Sequence, residues 1–71
     1  MKYNEFKRMM NMIRGTVDDF CCGEMPTLDE AESLIAVVVQ MVKNRFQMRV
    51  TEDFEMAVAD SVRSEILRAC A

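Results

Sequence analysis

The chain has 71 residues, 51% hydrophobic and 30% charged, a composition that makes one small globular domain and excludes a disordered chain. Nine Lys/Arg stand against twelve Asp/Glu, with no histidine and a net charge of −3. That balance argues against a protein built around a dominant basic face for nucleic acid, and it removes imidazole as a base or metal ligand.

The first predicted element is a helix over about residues 3–21. Tyr3, Phe6, Met10, Ile13, Val17 and Phe20 recur at alternating steps of three and four, a stripe along one helix face that Met9 and Met12 widen. Lys7 and Arg8 fall early and Asp18 and Asp19 late, against the helix dipole, so packing must hold this helix. Gly23 suits a C-cap, and Pro26 stops the helix from continuing.

The second helix is expected over about 28–46. "TLDE" at 27–30 is a capping box, in which the Thr27 hydroxyl and the Glu30 carboxylate each accept from the other residue's amide. Asp29, Glu30 and Glu32 suit the positive end of the dipole, and Lys43 and Arg45 the negative end. Between them "LIAVVVQMV" is apolar on nearly every side, which predicts the central, most buried helix. Its β-branched residues also allow a buried strand, but the cap, and the lack of a partner strand of similar length, decide for a helix. "FQMRVT" at 46–51 alternates apolar and polar residues and allows a short extended ribbon.

A third helix is expected over about 52–69. Thr51 is its N-cap and Glu52, Asp53 and Glu55 fill its first turn. Phe54, Ala57, Val58, Ser61, Val62, Ile66 and Ala69 share a face, with Leu67 beside it. The expected fold is all-α: one domain over 1–71, a three-helix antiparallel bundle. So short a chain has little interior for its apolar residues, so homodimerisation is expected to complete it.

An up-down-up arrangement sorts the charges into two poles. One gathers Lys7, Arg8, Lys43, Arg45 and Arg49, with Tyr3 and Phe46 among them; the other gathers Asp18, Asp19, Glu24, Asp29, Glu30, Glu32 and Glu65 against Arg14, Arg63 and Arg68. It also brings Cys70 to the acidic end that holds Cys21 and Cys22. Three thiols suggest zinc, but adjacent cysteines without a C-x-x-C or a histidine pair are a poor tetrahedral set. Neighbouring acids also suppress the thiolate that redox chemistry needs. The cysteines are therefore expected as small packed side chains, with no metal and no cofactor.

No Ser/His/Asp set or metal triad is present, so no catalytic residue and no enzyme activity are expected. The opening "MKYNEFKRMMNMIRG" lacks the apolar core of a secretory signal. No apolar run approaches the roughly 20 residues that span a bilayer. The odd cysteine count points to a reducing compartment, so a cytoplasmic protein without a membrane partner is expected.

The eight methionines offer core filling or an adaptable contact surface. The expected function is that of a small interaction protein: an inhibitor, adaptor or regulatory subunit, of the kind that phages and mobile elements encode. Its partner-binding residues are then Asp18, Asp19, Glu24, Asp29, Glu30 and Glu32 of the acidic pole, or a Met-rich helix face, meeting another protein. The alternative is a nucleic-acid or nucleotide-phosphate module that uses the five cations of the basic pole.

Overall fold

The computed structural model describes residues 3–46 and 51–70, which form α1 (Tyr3–Cys21), α2 (Leu28–Phe46) and α3 (Glu52–Cys70). Each helix has 19 residues, or roughly 28 Å at the α-helical rise. All three lie side by side in a body of 32 × 22 × 17 Å. The apolar run in the second element is helical, as its capping box requires. Residues 47–50, the middle of the alternating segment at 46–51 with Met48 and Arg49, lie outside the described residues.

Local chemistry sets the helix ends. The Thr27 amide donates to Glu30 Oε1 at 2.9 Å, and the Glu30 amide donates to Thr27 Oγ1 at 3.2 Å, which completes the capping box. Thr51 Oγ1 accepts from the Phe54 amide at 3.2 Å. At the end of α1 the chain turns through two left-handed residues, Cys22 at φ 46° and Gly23 at φ 85°. Two amides close this turn: Cys22 donates to the Asp18 carbonyl at 3.2 Å and Glu24 to that of Cys21 at 2.8 Å.

The topology is up-down-up. Arg14 and Asp18 of α1 meet Glu65 and Arg68 of α3 in the same order along both helices, so these two run parallel. On the other side α2 runs antiparallel, with Leu28 near Leu67 and Val39 near Met56.

Each helix turns one ridge inward. Met9, Ile13, Val17 and Cys21 come from α1; Leu34, Val38 and Val42 from α2; Val58, Val62 and Ile66 from α3. Every step in these rows is four residues, so the core is built from i±4 ridges. Such a row winds around its helix, whereas an alternating three-four stripe runs nearly straight. The expected face of α1 therefore departs from the buried row toward both ends. Ile13 and Val17 are inside, but Tyr3, Phe6 and Phe20 are exposed.

A second expectation is also revised. Although apolar nearly all round, α2 is not the central helix, since Ala36 and Val37 face solvent. The helix that packs most extensively against both others is α3. The physical reason is that α1 lies mainly along α3, so only one ridge of α2 reaches the shared core.

Candidate partner-binding surface

The end of the bundle that carries the α1–α2 turn holds the acidic pole and one unexpected buried charge. Glu65 is only 8% exposed, beside Ile66 in the core row of α3. It accepts from Arg14 Nε at 3.2 Å and from Arg68 Nε at 2.7 Å, both on Oε2. Burial alone would push the Glu65 carboxyl up, but the hydrogen bonds from Arg68 and Arg14 outweigh it and hold the group below the usual carboxylate range. Arg68 Nη2 continues the chain of pairs to Asp18 Oδ1 at 2.7 Å.

Two arginines thus neutralise part of this pole. Asp18 is tied into the α1–α3 joint, while Asp19, Glu24, Asp29, Glu30 and Glu32 stay exposed. Glu30 is already engaged, since hydrogen bonds from the Thr27 amide and hydroxyl hold its carboxyl below the usual range. Asp19, Glu24, Asp29 and Glu32 make no ion pair among the described residues.

Exposed apolar side chains lie among these acids. Met25, Leu28 and Leu67 are each more than half exposed, and they line one hollow over Ala31 and Ile66. Phe20 and Val37 line another, between α1 and α2, beside Asp19. The apolar pattern of the sequence contains these side chains, but only the packing shows that the core leaves them out.

The cysteines meet at this end. Cys21 is buried, and burial first and a hydrogen bond with Cys70 second push its thiol up. Cys22 is exposed and its Sγ donates to the Asp19 carbonyl at 2.9 Å. Cys70 Sγ donates to the Glu24 carbonyl at 3.4 Å, and all three thiols are free. Among the described residues no three Cys, Asp or Glu side chains are grouped to hold a metal ion.

At the opposite end Arg8 and Arg45 line one hollow with Glu5 and Phe46, and a second with Asn11, Met12 and Met41. Lys7 and Lys43 are exposed, and Arg49 lies outside the described residues. Glu5 tempers the positive charge that the two guanidinium groups bring together.

Sequence reasoning placed Glu65 at this pole together with Arg14 and Arg68, but missed its burial and its pairing with both. Its position, next to Ile66 and three residues before Arg68, is the one available hint. No helix among the described residues is long and apolar enough to cross a membrane. In comparisons with protein-family models, curated protein sequences and solved structures, nothing matched this chain.

Proposed function

We propose that this chain is a cytoplasmic protein-interaction module, acting by binding rather than by catalysis, that meets a larger protein through its acidic end. It would serve as an inhibitor, adaptor or regulatory subunit. The observation that carries this reading is the hollow of Met25, Leu28 and Leu67 on the acidic end of the bundle. Apolar side chains ringed by charge are the anatomy of a protein interface. Methionine adds a side chain that adapts to an irregular partner.

The test separates the two poles. Charge reversal at Glu24, Asp29 and Glu32, leaving the capping Glu30 intact, is expected to abolish capture of the host partner identified by cross-linking. Reversal at Lys7, Arg8, Lys43 and Arg45 is expected to leave that capture intact. The opposite pattern would overturn the reading.

A second reading rests on Arg8 and Arg45 converging beside Phe46, which suits a phosphate-bearing ligand with a ring to stack. It predicts binding to a short single-stranded oligonucleotide, with affinity falling steeply as salt rises and lost on Arg8→Ala or Arg45→Ala.

A further inference from the structure

We propose that the groove between α2 and α3 is a cleft for one helix, and that its occupant is a basic amphipathic helix of about three turns. This rests on the reading of the chain as protein-binding, and it names the site and the chemistry of the partner.

Two hollows lie in series along the groove. The first is the apolar one near the α1–α2 turn, between Leu28 and Ala31 of α2 and Arg63 and Leu67 of α3. The second lies between Glu32, Ile35 and Val39 of α2 and Glu52, Met56 and Ala59 of α3. They join end to end, because Ala31 and Glu32 are consecutive and Ala59 and Arg63 stand one turn apart. From Leu28 to Val39 the groove runs roughly 16 Å at the helical rise, or about three turns.

Its cross-section suits a helix. Ala31 and Ala59 are half-buried and Ala36 is short, so a partner backbone can come close. Leu28, Met56 and Leu67 stand up to 84%, 61% and 62% exposed, and give such a helix apolar surface to cover. With α1 packed on the other side of the α2–α3 pair, the groove is the place of a fourth helix in a bundle.

Charge selects the occupant. Glu32, Glu52 and Glu55 line the groove and make no ion pair among the described residues. The cation in the lining, Arg63, is paired with Asp60 at 3.3 Å. A helix with an apolar stripe flanked by Lys or Arg answers both features; an acidic helix meets like charge.

A fluorescent 14-residue peptide of leucine and lysine in amphipathic order is the probe, measured by anisotropy against a scrambled peptide of the same composition. The amphipathic peptide is expected to bind about tenfold or more tighter than the scrambled one. Met56→Ala with Leu67→Ala is expected to weaken it about tenfold, while Phe20→Ala with Val37→Ala leaves it unchanged. All four side chains are solvent-facing, and a circular dichroism melt checks that each variant folds.

Equal binding of both peptides would overturn the proposal, as would indifference to the Met56 and Leu67 changes. A dimer in sedimentation equilibrium that the same changes dissociate would give the groove to a second copy instead, also overturning it. If the host partner is lost on reversal of Glu24, Asp29 and Glu32 but ignores the groove changes, the cleft fails while the acidic-end reading stands.

Discussion

Arg14 on α1 reaches Glu65 on α3 across 51 residues of chain, its Nε donating to Oε2 at 3.2 Å, while Arg68 takes the same oxygen from its own helix at 2.7 Å. The carboxylate is nearly buried, but the Arg14 and Arg68 side chains are 58% and 44% exposed. Removing the carboxylate therefore strands no buried cation, because both guanidinium groups reach water.

Two substitutions at this position should then differ. Glu65→Ala loses the hydrogen bonds and leaves a gap beside the core row, and is expected to cost about 1–3 kcal/mol. Glu65→Leu fills that volume with an apolar side chain and is expected to lie within about 1 kcal/mol of the parent. Urea melts of both variants check this. An equal loss would mean that the ion pairs, and not the packing, matter at this site.

Acid should weaken the fold through the same group. The folded-state carboxyls of Glu65 and Glu30 are both lowered. Their stabilisation is therefore fully present above the unfolded carboxylate value of about 4.3, and is lost as pH falls through the lower folded values. The urea midpoint is expected to decline below about pH 4.3, and Glu65→Gln to make that decline shallower. Superimposable acid limbs for parent and variant would remove Glu65 from this account.

The two glycines should respond to alanine with opposite signs. Gly15 lies inside α1 with nothing within 4 Å of an added Cβ. Gly15→Ala is expected to stabilise the protein by about 0.5–1 kcal/mol. Gly23 is equally open but sits at φ 85°, so Gly23→Ala is expected to cost about 1 kcal/mol from the backbone alone. Thermal melts read the difference as midpoint shifts of about 4–8 °C per kcal/mol in a domain of this size.

Thiol reactivity should follow exposure. Iodoacetamide is expected to label Cys22 first, the half-buried Cys70 next and Cys21 last. Cys21 is both buried and pushed up in pKa, which disfavours its thiolate. Timed mass spectrometry of the intact native protein gives the order, and rapid labelling of Cys21 would mean that the end of α1 opens readily.

The helices and their ends were legible in the sequence because their causes are local. The Thr27–Glu30 box, the Thr51 cap and the Gly23 turn each act within a few residues, and they bound α1 and α2 where the pattern of residues puts them. The third helix runs one residue past its expected end, to Cys70. An antiparallel bundle follows, because short connections leave few other ways to bring three amphipathic helices together.

Which ridge turns inward was decided only in the tertiary structure. It depends on how two helices cross, and that is set by the side chains of both partners. Four-residue ridges left Tyr3, Phe6 and Phe20 outside, put α3 at the centre and drew Glu65 inward to two arginines, one of them on another helix. The α2–α3 groove is of the same kind. Leu28, Met56 and Leu67 are apolar letters in the sequence, and become one surface only because two antiparallel helices hold them along one line. Local chemistry determined where the helices begin and end, and packing between distant segments determined what they leave exposed for a partner.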